Sequence, residues 1–147
     1  MVFTEVIGAE FGNAVLFGQV HQITVDTYAV QHAGGPHPDK SMAVHLAGMY
    51  LVQEQGVPPT RVPKLLQQLV SRAESWPHFP PPADRGRLTI FDVAMAVGLE
   101  GHIGAAREWG ASVWRSWQHH AEVAAFVSRH LPDCGAFFFA PSGLGAS

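Results

Sequence analysis

Stretches rich in glycine and proline divide this chain into short segments, and this division most constrains its fold. They occupy residues 33–40, 57–59 and 76–82. Between them, apolar residues recur every three or four positions, which is the spacing of an amphipathic helix, and no convincing strand hairpin is present. We therefore predict an all-α, single-domain helical bundle of four or five helices, with residues 76–82 as an extended Pro-rich strap.

The predicted helices have recognisable ends. They span residues 13–32, 42–55, 60–73, 90–97 and 100–131. Asn13, Thr60 and Thr89 carry side-chain oxygens suited to capping a helix N-terminus. Pro132 stops the last helix. We expect one domain over residues 1–147, with residues 1–12 as an N-terminal arm or part of a first helix and residues 132–147 as a tail.

Composition excludes several classes of protein. The chain has 147 residues, 47% of them hydrophobic and 14% charged, with a net charge of −3, which fits one domain with a real core. Nine Lys and Arg residues form no visible basic patch, so we expect no nucleic-acid partner. No apolar run approaches the ~20 residues of a membrane helix, and no targeting signal is apparent, so we expect a cytoplasmic protein with no membrane partner.

Histidine is unusually abundant, with nine residues against nine Lys and Arg together. His32, His45 and His120 fall on apolar, inward faces of three predicted helices. His32 ends one helix and His45 begins the next, so both lie at the same end of that pair, whereas the threading of the last helix leaves the level of His120 open. Imidazole binds Zn, Fe, Cu and Ni, and three protein ligands with an open position form a catalytic site. These three residues therefore form a candidate site for a divalent metal; buried, hydrogen-bonded core histidines are the equally weighted alternative.

Three further side chains are candidates for catalysis. Tyr28 lies one helical turn before His32. His21 lies on the same helix but ~16 Å from His32, so it belongs to another level of the bundle, with His102 or His119 as a neighbour. Asp26 lies on another side of the helix from His21 and can act as an acid or base, or orient an imidazole; a solvated carboxylate is the equally weighted alternative.

Aromatic residues suggest a pocket near His120. Trp117 lies on the last predicted helix, and Trp76 and Phe79 lie in the strap. Core packing is the more common role for such residues, and an aromatic substrate pocket is the functional alternative. His37, His78 and His130 are expected to be incidental.

Several segments resemble, in order, a family of small bacterial proteins known only as a domain of unknown function. The segments are HQITVDTYAVQH at residues 21–32, SMAVHL at 41–46, WPHFPPP at 76–82, LTIFDV at 88–93 and SVWRSWQHH at 112–120. The first is long and specific, and the similarity extends over roughly residues 17–131. The resemblance implies a shared helical fold and a shared functional cluster, and it supplies no activity.

Three hypotheses for function follow. The first is a metal-dependent enzyme that acts on a small molecule by hydrolysis or oxidation. The second is a metal-free His/Asp acid–base enzyme with an aromatic pocket. The third is a non-catalytic small-molecule binding module, in which Met49, the aromatic helix and the run at residues 137–139 form a ligand pocket or a homodimer interface.

Overall fold

The computed structural model describes residues 1–33 and 38–133. Over these residues the chain forms seven α-helices and no strand, which confirms the all-α bundle. The helices are α1 (Val2–Phe11), α2 (Ala14–Gln31), α3 (Asp39–Gln53), α4 (Val62–Arg72), α5 (Ile90–Met95), α6 (Gly98–Ser116) and α7 (His120–His130), with a 3-10 turn at Pro59–Arg61 before α4. In the described part of the chain, no helix is both long and apolar enough to cross a membrane.

Helices α2 and α3 lie at the centre of the bundle, because α2 packs against α1, α3 and α6, and α3 packs against α2, α4, α6 and α7. Val20 and Val30 on α2 are completely buried. The close contact of α2 with α6 depends on Gly110, where a Cβ atom would come within 3.0 Å of Ile23. Four polar side chains of α2 are buried among these apolar ones: Thr24, Asp26, Thr27 and Gln31.

The predicted helix starts are confirmed at Asn13 and Thr89. The Asn13 side chain accepts a hydrogen bond from the Leu16 backbone N–H at 3.0 Å. At the start of α5, Thr89 Oγ1 accepts from the Phe91 backbone N–H at 3.2 Å, and Asp92 Oδ2 accepts from the Thr89 backbone N–H at 2.7 Å, as in a capping box. Thr60 instead lies inside the 3-10 turn, and α4 begins two residues later.

Two differences from the prediction raise the number of helices. Most of residues 1–12, predicted as an arm or part of a first helix, forms α1, whose buried face carries Val6 and Glu10. The predicted helix 100–131 is broken after Ser116, since Trp117 adopts an extended conformation with ψ 147°. The break lets the chain turn back, so that α7 packs against α3 and α4.

The Pro-rich strap is held onto the bundle by its aromatic residues. Phe79 is buried in the core, and the partly buried Trp76 packs against the core. The Trp76 ring lies 5.7 Å from the ring of Phe126 on α7. Beyond the strap, before α5 begins, Gln31 donates hydrogen bonds to the carbonyl oxygens of Arg85 and Leu88, at 3.1 and 2.7 Å. The segment between α4 and α5 is therefore fixed at both ends without regular structure.

Candidate functional site

A buried aspartate and a partly exposed histidine form a direct pair between α2 and α3. His45 Nδ1 lies 2.9 Å from Asp26 Oδ1. Asp26 is 2% exposed, whereas the His45 side chain is 23% exposed. When Asp26 is ionised its oxygen can only accept, so Nδ1 then donates in this contact and Nε2 of a neutral His45 presents its lone pair.

The second oxygen of Asp26 is also held. Gln22, one turn earlier on α2, donates from Nε2 to Asp26 Oδ2 at 2.9 Å. Gly48 on α3 lies against the same carboxylate, so that a Cβ atom there would overlap it. Burial raises the pKa of Asp26 above its ordinary value, while the hydrogen bond and charge of His45 and the hydrogen bond from Gln22 act in the opposite direction.

A second buried carboxylate, Glu10, joins three helices. Its Oε1 accepts hydrogen bonds from Thr24 Oγ1 at 2.6 Å and from His102 Nε2 at 3.0 Å. Its Oε2 lies 3.0 Å from His21 Nδ1. Glu10 is completely buried, so these three donors replace the water that an exposed carboxylate would bind. Of the two neighbours predicted for His21, His102 shares its partner Glu10, whereas His119 lies 3.7 Å from Glu122.

Sequence reasoning did not identify Glu10. The signal available was periodicity: Val2, Val6 and Glu10 are spaced four apart, so a helix over these residues places the carboxylate on the same face as the valines.

Two aromatic rings contact His21, one of the partners of Glu10. His21 stacks on the Phe17 ring at 4.3 Å and meets the Phe11 ring edge-on at 4.8 Å. His21 is therefore covered by two exposed aromatic rings.

His32 and Tyr28 lie on a different side of α2. His32 follows the last residue of the helix and is exposed, with Nδ1 3.0 Å from the Tyr28 carbonyl oxygen. Its ring stacks on the Tyr28 ring at a centroid distance of 4.2 Å. Tyr28 in turn stacks on Phe3 at 4.1 Å.

His120 is the first residue of α7 and contacts Trp114 near the end of α6, across the break between these two helices. Its Nε2 donates to the Trp114 carbonyl oxygen at 2.6 Å, and its ring stacks on the Trp114 ring at 4.2 Å. His32, His45 and His120 thus each have a different partner. Over residues 1–33 and 38–133, no group of three or more His, Cys, Asp or Glu side chains is arranged to hold a metal ion. The metal site assigned to these three residues stays a prediction.

Of the three predicted pocket residues, two line a common cavity. Trp76 and Phe79 line a cavity of about 540 Å³, together with Phe126 and His130. Trp117 is 3% exposed and belongs to the core. Its indole N–H has no hydrogen-bond partner among the described residues.

The other candidates have local roles or lie outside the described residues. His78 pairs with Asp39 at 2.8 Å on the surface, and His130 Nδ1 donates to the Phe126 carbonyl oxygen at 2.9 Å. His37, Cys134 and the aromatic run at residues 137–139 are among the positions that lie outside the described ranges.

Comparison with models of protein families matches residues 1–118 to a family of unknown function (DUF5946). The matched region contains α1 to α6 and ends before α7. A search of curated proteins and a search of solved structures gave no match. The family match confirms the resemblance to a domain of unknown function and adds no reaction to it.

Proposed function

Since the chain belongs to the DUF5946 family, whose function is unknown, we propose from the geometry of the site that it is a metal-free acid–base enzyme acting on a small molecule. His45 is the proton-transfer group, and Asp26 positions it. The single observation that carries this proposal is the 2.9 Å contact between Asp26 Oδ1 and His45 Nδ1.

The pair has the features that a general base requires. Imidazole changes its charge near neutral pH, so it can both take and return a proton there. The buried carboxylate fixes the proton on Nδ1 and makes Nε2 the basic nitrogen. The 23% exposure of the His45 side chain allows a substrate to reach the ring, while Asp26 at 2% exposure is shielded from substrate and solvent.

The surroundings of Asp26 support a positioning role rather than direct contact with substrate. Both of its oxygens are bonded, one to His45 and one to Gln22. Gly48 removes the side chain that would otherwise separate α3 from the carboxylate. A carboxylate fixed on both oxygens restricts the orientation of the imidazole, which is what a proton-transfer geometry needs.

Hydrolysis of p-nitrophenyl acetate, an ester that reports a basic imidazole nitrogen, tests the proposal. We expect His45→Gln to lower the protein-dependent rate by about 10²-fold, the lower end of what a general base contributes. Asp26→Asn should lower it by a smaller factor, because the imidazole remains without its orientation. His78→Gln is the matched control, since it removes an exposed histidine with a similar Asp contact. An unchanged rate for His45→Gln, or an equal loss for His78→Gln, would contradict the proposal.

A chelator added to the same assay separates this proposal from the metal hypothesis. If His32, His45 and His120 hold a divalent ion that activates water, removal of the ion abolishes the rate and re-addition restores it. If His45 acts with Asp26 alone, the rate is unchanged by the chelator. We expect the second outcome, and metal analysis of protein purified without an affinity tag checks it independently.

A further inference from the structure

A cavity of about 600 Å³ lies between the start of α1, the end of α2 and the start of α5. It is separate from the Asp26–His45 pair, because neither of those residues lines it. Its walls include Phe3, Tyr28, His32, Arg85 and Phe91.

One wall of the cavity is a column of three stacked rings. Phe3 and Tyr28 lie 4.1 Å apart and Tyr28 and His32 lie 4.2 Å apart, with 25° between the planes in each case. Phe91, which is 63% exposed, adds a fourth ring to the lining. Such surfaces favour a planar aromatic ligand, which can stack on them or meet them edge-on.

The charge of the lining is positive. Arg85 brings a positive charge to the lining, and the lining residues include no Asp or Glu. Its Nε donates to the Pro82 carbonyl oxygen at 2.6 Å, and its Nη1 donates to those of Gln31 and Ala33 at 2.8 and 2.7 Å. The guanidinium is thus held by three backbone carbonyls before any ligand arrives, and Nη2 is not used in these bonds. A preorganised guanidinium favours a carboxylate.

His32 adds a polar atom to the same wall. Its Nδ1 faces the Tyr28 carbonyl oxygen at 3.0 Å, and a carbonyl oxygen can only accept, so Nδ1 carries the proton. Nε2 is therefore the ring nitrogen available to a ligand polar group.

Two other described cavities lack this combination. The cavity beside Trp76 has aromatic walls, but Glu74 and Glu122 in its lining balance the charges of Arg72 and Arg129. The cavity beside Arg107 has no aromatic residue in its lining. The cavity between α1, α2 and α5 combines aromatic walls with a positively charged lining.

We propose that this cavity is a binding site for a planar aromatic carboxylate, with the ring packed on Phe3 and Phe91 and the carboxylate held by Arg85. The site is independent of the proton-transfer function proposed for His45. Its test therefore measures binding and requires no catalytic activity.

Three probes matched in size separate the parts of this proposal in NMR titrations of the ¹⁵N-labelled full chain. Benzoate has both the ring and the charge, benzamide keeps the ring without the charge, and cyclohexanecarboxylate keeps the charge without the planar ring. We expect benzoate to shift the resonances of residues lining the cavity, and to bind about three- to tenfold more tightly than either of the other two.

A pair of exposed phenylalanines supplies the matched variants. Phe91→Ala should weaken benzoate binding about three- to tenfold, and Phe11→Ala, at a residue 66% exposed that does not line the cavity, should leave it unchanged. Neither residue is buried, so both variants are expected to fold. Equal binding of the three probes, shifts outside the cavity, or equal effects of the two variants would overturn the proposal.

Discussion

At the scale of single residues, burial distinguishes two Asp–His contacts that have nearly the same length. Asp26 and His45 lie 2.9 Å apart with exposures of 2% and 23%, and Asp39 and His78 lie 2.8 Å apart with exposures of 52% and 68%. The exposed pair is surrounded by water, which weakens its interaction and leaves both side chains free to move. The buried pair is held in one geometry, so it can position a proton.

Burial of Asp26 also predicts a pH dependence of stability. Its pKa is raised above the ordinary value of 3.8, mainly by loss of water, so the folded chain keeps this proton at pH values where the unfolded chain has released it. Stability therefore falls as the pH rises from 3.8 through the raised pKa. The asparagine in Asp26→Asn does not titrate. As the pH rises from 3.8 through the raised pKa of Asp26, the free energy of unfolding of the wild type should therefore fall relative to that of the variant. Above that pKa the difference between the two proteins should be constant.

Urea unfolding of both proteins from about pH 3 to about pH 7 measures this difference. Asp39→Asn is the control, because it removes the same kind of contact at an exposed position. We expect it to change the free energy of unfolding by less than about 0.5 kcal/mol throughout. A difference between wild type and Asp26→Asn that does not vary with pH would show that burial does not control this carboxyl group.

At the scale of helices, the position of α3 relative to α2 depends on a missing side chain. Gly48 faces the Asp26 carboxylate, and the space that a Cβ atom would need is occupied by that group. Gly104 on α6 provides a contrast, because nothing lies within 4 Å of its Cβ position. The two helical glycines therefore differ in whether the fold requires them.

Alanine at these two positions should have effects of opposite sign. We expect Gly48→Ala to destabilise the fold by about 1–3 kcal/mol, because the added methyl group forces α3 away from Asp26. Gly104→Ala should stabilise it by about 0.5–1 kcal/mol, since alanine favours a helix and meets no neighbour. Thermal and urea unfolding measure both. If Gly48→Ala is neutral or stabilising, α3 does not need to approach Asp26 this closely.

At the scale of the whole molecule, the sequence predicted the local elements better than their arrangement. Apolar spacing and the caps at Asn13 and Thr89 located most helices, because those signals are local. The break at Trp117 was not predicted, since apolar spacing continues through it; beside the break, His120 donates to the Trp114 carbonyl oxygen. Periodicity predicted inward faces for His32, His45 and His120, but His32 is exposed, because it follows the last residue of α2. Periodicity also could not show which partner each imidazole would find.

The candidate site was predictable in part for the same reason. Asp26 was identified as a residue that can orient an imidazole, and the contact with His45 is present. That contact crosses from α2 to α3, and the sequence does not specify the rotation of one helix against another. Glu10 was missed because its partners, His21 and His102, lie 11 and 92 residues further along the chain.

Glu10 is the buried side chain whose hydrogen bonds join α1 to α2 and α6, and its replacement is therefore expected to act on the whole bundle. Glu10→Gln keeps the shape of the side chain but replaces one accepting oxygen with an NH₂ group, which cannot accept the bond from His21. We expect a loss of about 1–3 kcal/mol in the free energy of unfolding, with faster amide hydrogen exchange in α1 than in α3. Glu5→Gln, at an exposed position of the same helix, should change stability by less than about 0.5 kcal/mol. Equal protection of α1 in the two variants would mean that apolar packing around Val6, and not the Glu10 network, holds the first helix on the bundle.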